Sequence, residues 1–277
     1  AFMQTAPSSL PKPVSEVWRP ELTRLPRLTW GRRLFRGFIR ALARFLIFAC
    51  TKSTVRGLEN FPKKGPALVV INHLGDADGV LGLAFWPAFP DALAKIELFD
   101  LPVLGWIMDR LGVIWVHRGR PDKRALSAAL DGLQSGRIIM IAPEARESVI
   151  GALEEGTSGA AFLALKADVP VVPVTVTGTE NERIYGNLKR LRRTPVTLRV
   201  GKPFVLPKPA QSRSLERSEG SAEGPAGRHE ALRQATRLIM EALARQLPPE
   251  YRGVYNYIDR VGAALSSSKG AAQEKDV

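Results

Sequence analysis

Apolar and polar positions along the chain change their spacing several times, and each change marks an element. From Trp30 onward, Leu34, Phe35, Phe38, Ile39, Leu42, Phe45, Leu46 and Ala49 recur at helical spacing. Arg32, Arg36, Arg40 and Arg44 fall every four residues on the other side. This predicts a basic amphipathic helix over residues 30–53. Two readings of its apolar face stand side by side: it lies in a membrane interface, or it packs on the protein core. The arginine stripe leans towards anionic lipid.

Beyond residue 54 the spacing shortens. Brief runs rich in Val and Ile predict strands at Ala67–Ile71, Ala94–Leu98, Val113–Val116, Arg137–Ala142, Val171–Val176 and Val196–Val200. Helical patterns lie between them at Gly79–Phe85, Val103–Arg110, Lys123–Ser135 and Gly159–Ala167. Strand and helix alternating at short intervals predict one α/β domain over 54–206, with a mostly parallel or mixed central sheet flanked by helices.

The flanks read differently. Residues 1–29, rich in Pro, Ser and Thr, predict an extended lead-in, and 207–228 a polar, low-complexity, mobile loop. Residues 229–265 predict a helix over His229–Leu247, stopped by Pro248-Pro249, and a Tyr-rich segment; 266–277 predict a disordered tail.

Composition narrows the partners. A formal charge of +13 over 277 residues calls for a polyanionic surface or ligand. The chain shows no aromatic-interleaved basic motif, which argues against nucleic acid. One cysteine, Cys50, excludes an internal disulfide, and three scattered histidines argue against a histidine-based metal site. The longest uninterrupted apolar stretch, Phe45 to Cys50, falls far short of the roughly 20 residues a bilayer span needs. No secretory signal is evident at the amino end. These features predict a peripheral or monotopic protein on the cytoplasmic face of a membrane.

The candidate chemistry starts where the Ala67–Ile71 run breaks into Asn72-His73, with Asp78 five residues after the histidine. Open α/β sheets place ligands at strand tips, so His73 is offered from a rigid support. Asp78 or Asp76 can fold back, accept the second ring N–H and fix the tautomer. A lone histidine after a strand is more often a satisfied loop residue than a catalyst, so the rest of the chain must decide.

Three further stretches bear on it: Ile114-Trp115-Val116-His117-Arg118-Gly119-Arg120-Pro121-Asp122, Ile139-Met140-Ile141-Ala142-Pro143-Glu144-Ala145-Arg146-Glu147-Ser148, and Val169-Pro170-Val171-Val172-Pro173-Val174. With Asn72-His73-x4-Asp78 they resemble, in order and spacing, the four blocks of the glycerolipid acyltransferase family, to which the lysophosphatidic acid acyltransferases belong. The resemblance covers roughly residues 54–206 and implies a glycerol-3-phosphate acyltransferase-like fold. It also implies transfer of a fatty acyl group from an acyl thioester to the hydroxyl of a lysolipid, by default 1-acyl-glycerol-3-phosphate; the alternatives are another acceptor (a lysophospholipid, glycolipid or aminolipid) or a non-catalytic lipid-binding homologue. The donor would be acyl-CoA or acyl-acyl carrier protein, used as co-substrate, with no other cofactor and no metal.

Under this resemblance His73 is the general base and Asp78 orients it, the division of labour of a Ser-His-Asp triad with the substrate supplying the hydroxyl. Backbone N–H groups around Gly75 or in the Pro143–Arg146 turn are candidates for the oxyanion. Arg118 falls where the family holds the acceptor phosphate, and a guanidinium suits that task. Lys95 is a candidate for the same anion or a surface lysine; Asn72, Ala145 and Arg146 complete the expected substrate-binding set. Glu144 matches a family glutamate that could bind an acceptor hydroxyl, organise arginines, or be a buried ion-pair partner.

The third block departs from the family's Pro-Glu-Gly-Thr-Arg-Ser. Here Ala145-Arg146-Glu147-Ser148 follows Glu144, so the arginine comes one residue early and a carboxylate takes the cation's place. Ala145 lacks glycine's freedom at positive φ. A negative charge near a phosphate site is unfavourable, and a less anionic acceptor or a rearranged turn would accommodate it.

Overall fold

The computed structural model describes residues 11–119, 121–207 and 225–258. The expected tail at 266–277 and most of the expected mobile loop lie outside the described residues. The elements run α1 (Trp30–Cys50), β1 (Thr51–Arg56), β2 (Ala67–Ile71), α2 (Ala77–Phe85), β3 (Asp91–Lys95), α3 (Pro102–Leu111), β4 (Ile114–Val116), α4 (Lys123–Gln134), β5 (Ile138–Ile141), α5 (Gly159–Ala167), β6 (Val171–Thr177), α6 (Asn181–Lys189), β7 (Thr194–Val200) and α7 (Pro225–Ala244).

The strands form one seven-stranded sheet in the order β1-β7-β6-β2-β5-β3-β4. Every neighbouring pair is parallel except β6 with β7. Strand β2 sits in the middle, with Val70 opposite Ile141 of β5 and Pro173 of β6. All its residues are buried, which explains why its sequence is continuously apolar rather than alternating. Leu68 and Val70 face one core with α4, α5 and α7; Val69 and Ile71 face another with Ala43 and Ile47 of α1 and Leu81 and Ala84 of α2. Parallel pairing from β6 to β4 gathers the C-terminal tips of β2, β3, β4, β5 and β6 at one end of the sheet, where α/β folds bind ligands.

Helix α1 faces opposite to the expectation that its arginines meet lipid. Its arginine stripe lies against the protein. Arg36 is buried, its Nη2 2.6 Å from Asp91 Oδ1, and its Nε donates to Leu111 O at 2.8 Å. Arg32 donates to Asp109 O at 2.9 Å, Arg44 to Ala84 O at 2.9 Å, and Arg40 sits over the Phe89 ring. Trp30, Leu34, Phe38, Leu42, Phe45, Leu46 and Phe48 are exposed. The physical reason is that Asp91 and the carbonyls ending α2 and α3 give the guanidiniums desolvated partners. The reading in which the apolar face packs on the core is thereby overturned.

Residues 11–29 form no regular element, yet they are pinned as a strap across the ligand end of the sheet. Ser15 N donates to Arg118 O at 3.0 Å and Arg118 N to Ser15 Oγ at 2.8 Å. Further along, the segment reaches the opposite end of the sheet, where Arg137, just before β5, donates to Pro26 O at 2.8 Å. Among the described residues, no helix is long and apolar enough to cross a membrane.

Candidate active site

The turn after β2 folds back on itself. Asp78, in the first turn of α2, accepts from His73 Nδ1 at 2.7 Å, from Leu74 N at 2.7 Å and from Gly75 N at 3.1 Å. A buried carboxylate can only accept, so the ring proton sits on Nδ1 and the lone pair on Nε2. Gly75 is needed for a close approach: a Cβ there would stand 2.5 Å from Asn181 Oδ1 and 2.6 Å from Thr179 O. Asp76, the other carboxylate in the turn, accepts instead from Tyr185 OH at 2.8 Å.

His73 remains a third exposed at its side chain, so Nε2 can meet a substrate. Burial alone would lower its pKa, but the bond to Asp78 and the charges of Asp78, Glu147 and Glu144 outweigh it and hold it above the usual histidine value. The nearest charge to Nε2 is Glu147 Oε1, at 3.8 Å. Glu147 also accepts from Asn181 Nδ2 at 3.2 Å, and Asn181 Oδ1 accepts from Asp76 N at 2.9 Å. Glu147, Asn181 and Tyr185 carried no sequence expectation as ligands; the displaced charge at 147 was the signal that could have found the first.

The other expected site residues fall out as follows. Asn72 is not available to a substrate: it is 2% exposed, its Nδ2 donates to Val176 O at 3.0 Å and its Oδ1 accepts from Val176 N at 2.8 Å. Its amide ties β2 to β6, because both strand tips have backbone groups without ladder partners there. Glu144 is fully buried, which removes it from direct contact with an acceptor in this structure; its Oε2 accepts from Glu154 N at 3.0 Å. Burial pushes its pKa up to about 7, against the opposing pull of the Glu154 and His73 backbone N–H groups. It is a strut between the β2 and β5 tips.

Ala145 adopts φ 60°, the left-handed conformation expected of the glycine it replaces, and its N–H is bonded to Ala142 O at 3.0 Å. Gly75 N, held by Asp78, is likewise occupied, so neither of these N–H groups is free for an oxyanion. Arg146 turns to Glu154, Nε to Oε2 at 2.7 Å, and donates to Pro11 O at 3.0 Å. Arg118, at the tip of β4, lies three strand positions from β2, and its Nη2 is 3.5 Å from Glu97 Oε2. Lys95 ends β3, in register with Val116 of β4. The structure therefore brings together His73, Asp78 and Glu147, and places Arg118 and Lys95 apart from them.

A second His-x4-Asp pair occurs 44 positions along. His117 Nδ1 is 2.9 Å from Asp122 Oδ2, which also accepts from His117 N at 3.0 Å. Its Nε2, however, accepts from Arg19 N at 3.0 Å, and Trp18 packs on its ring. The same local device thus serves here to hold the strap, while His73 keeps its Nε2 open.

A family model described as Acyltransferase matches residues 52–177, the segment that carries both His-x4-Asp pairs and the Pro143–Ser148 turn. Over that segment the chain is similar to the acyltransferase family. It is 31% identical over 177 residues to a chloroplastic 1-acyl-sn-glycerol-3-phosphate acyltransferase of Brassica napus, a match covering 62% of this chain and 51% of that protein. The corresponding protein of Arabidopsis thaliana is 32% identical over 177 residues, 62% and 49% of the two chains. The chain spans about half the length of these curated relatives. The solved 1-acyl-sn-glycerophosphate acyltransferase PlsC of Thermotoga maritima superposes with a TM-score of 0.52 at 25% identity, covering 75% of this chain and 80% of that one. Within the matched segment, the His-Asp pair lies at the tip of the sheet's central strand.

Proposed function

We propose that this chain transfers a fatty acyl group from an acyl thioester, carried by coenzyme A or acyl carrier protein, to the hydroxyl of a lysophospholipid. The activity for which the relatives are named makes 1-acyl-glycerol-3-phosphate the reference acceptor. The observation that carries the reading is the His73–Asp78 contact of 2.7 Å with Nε2 left open. Neutral His73 takes the acceptor's proton at Nε2 as the oxygen attacks the thioester carbon. The imidazolium is stabilised by Asp78, and collapse of the tetrahedral adduct expels the thiolate, which takes the proton back. No covalent enzyme intermediate forms, so rate derives largely from holding hydroxyl and thioester together.

The reaction is read as occurring at a membrane surface, docked through the exposed apolar face of α1. That surface continues onto α3 and its N-cap, where Leu101, Val103, Leu104 and Trp106 are exposed and Trp106 meets Phe35 edge-on at 5.5 Å. Contiguous exposed apolar surface of this kind marks an interaction site. The test is a mass-resolved assay with labelled acyl donor and a panel of lysolipids. His73→Ala should lower the rate by at least ~100-fold, the lower range for general-base removal. A His73→Ala chain that keeps its rate would sink the mechanism.

A further inference from the structure

Whatever acceptor presents its hydroxyl to His73 Nε2 must do so beside Glu147, whose Oε1 is 3.8 Å from that nitrogen. Among the described residues, the groups hydrogen-bonded around this approach are acidic or neutral. Glu147 and Asp76 are bridged by Asn181, which donates to the former at 3.2 Å and accepts from the backbone N–H of the latter at 2.9 Å. Tyr185, with an exposed ring, donates to Asp76 at 2.8 Å. Behind them, Asp78 and Glu144 are carboxyl groups too, and both are buried.

The two arginines expected to hold an acceptor phosphate face carboxylates elsewhere. Arg146 is bonded to Glu154 at 2.7 Å and to Pro11 O at 3.0 Å. Arg118 faces Glu97 at 3.5 Å, three strand positions from β2. In 1-acyl-glycerol-3-phosphate the phosphate sits one carbon from the reacting hydroxyl, so it cannot reach His73 without its charge coming close to Glu147. In a site partly screened from water that repulsion is not negligible.

We infer that Glu147 is a specificity-determining residue that selects, within the lysophospholipids, an acceptor whose phosphate is esterified to a cationic headgroup. The ammonium pairs with Glu147, its neighbours Asp76 and the Tyr185 ring complete an anionic and aromatic rim suited to such a cation, and the phosphate is left a monoanion. This inference rests on the acyl-transfer reading and narrows its acceptor.

The experiment uses the full chain with one labelled acyl thioester and three acceptors matched in acyl chain: 1-acyl-glycerol-3-phosphate, 1-acyl-glycerophosphocholine and 1-acyl-glycerophosphoethanolamine. The wild-type chain should favour one or both zwitterionic acceptors over the phosphomonoester by about 10-fold or more in kcat/KM. Glu147→Gln should shrink that ratio by about 10-fold, mainly through KM, and Glu147→Arg should invert it. Glu147 is partly exposed, so thermal unfolding should show both variants folded. A wild-type preference for the phosphomonoester, or a ratio indifferent to the charge at 147, overturns the inference and leaves acyl transfer standing. No transfer to any acceptor by the wild-type chain overturns both.

Discussion

His73 is flanked by Asp78 at Nδ1, 2.7 Å away, and by Glu147 at Nε2, 3.8 Å away, with the fully buried Glu144 behind it. The three carboxyl groups raise its pKa above the ordinary 6.5 even though burial pulls the other way. As the proposed general base, His73 acts only when neutral, so kcat/KM should fall on the acid side of a midpoint above 6.5. Glu147→Gln should move that midpoint down by removing one of the raising charges. Glu144, held up to about 7, titrates nearby but should be visible in stability instead. Its folded pKa lies above the unfolded one. The stability it contributes is therefore complete below about 4.5 and is lost as pH rises to about 7, a change of roughly 3 kcal/mol at 1.36 per unit. Urea unfolding of wild type and Glu144→Gln across pH 4 to 8 checks this; the variant should show a flatter profile. If both lose stability alike, the slope belongs to another group.

At the scale of elements, α1 reverses the usual arrangement of an amphipathic helix on a globular domain. Its arginine stripe, together with Ala43 and Ile47, is the docking face, because Arg36 finds Asp91 at 2.6 Å and Asp91 also meets Arg137 at 2.5 Å, a largely buried triad that fixes the helix. Arg36→Ala should cost about 3 kcal/mol, since one partner of a buried pair is removed. Phe38→Asp and Phe45→Asp should leave stability almost unchanged, as both rings are exposed, yet weaken vesicle sedimentation at least several-fold. Sedimentation that survives both changes would argue against this face. How legible such features are in sequence depends on where the information lies. Strand β2 was readable residue for residue because a fully buried parallel strand is continuously apolar. Strand β1 escaped: Thr51–Arg56 buries alternate positions, only Val55 among its residues is strongly apolar, and it follows α1 without a break. Helix α6 escaped because none of its residues is buried, so no periodic stripe was required. Strand β3 was placed three residues late, since Ile96 and Leu98 extend the apolar run into a 3-10 turn. At the site, the pairing of His73 with Asp78 was local and therefore legible, whereas the reach of Asn181 and Tyr185 to the β2 tip depends on the β2–β6 pairing. The facing of α1 was not legible, because its periodicity separates two faces without saying which one has partners.

For the whole molecule, the net charge of +13 and the exposed apolar face make different predictions about the surface it seeks. Had the arginine stripe faced outward, attraction to anionic lipid would dominate, and salt would screen it over a Debye length of ~10 Å at ~0.1 M. Instead Arg32, Arg36, Arg40 and Arg44 all contact the domain, and Leu34, Phe38, Leu42, Phe45 and Phe48 are presented. Apolar burial is insensitive to ionic strength in the direction that screens charges. The full chain should therefore bind vesicles of neutral phosphatidylcholine as well as anionic ones, with anionic lipid adding affinity through the remaining exposed lysines and arginines. Raising salt from ~0.1 M to ~0.5 M should remove the anionic increment and leave binding to neutral vesicles nearly intact. Sedimentation with both vesicle types at both salt levels measures the two contributions separately. Binding confined to anionic vesicles and abolished by salt would mean that charge, and not the apolar face of α1, carries the proposed membrane docking.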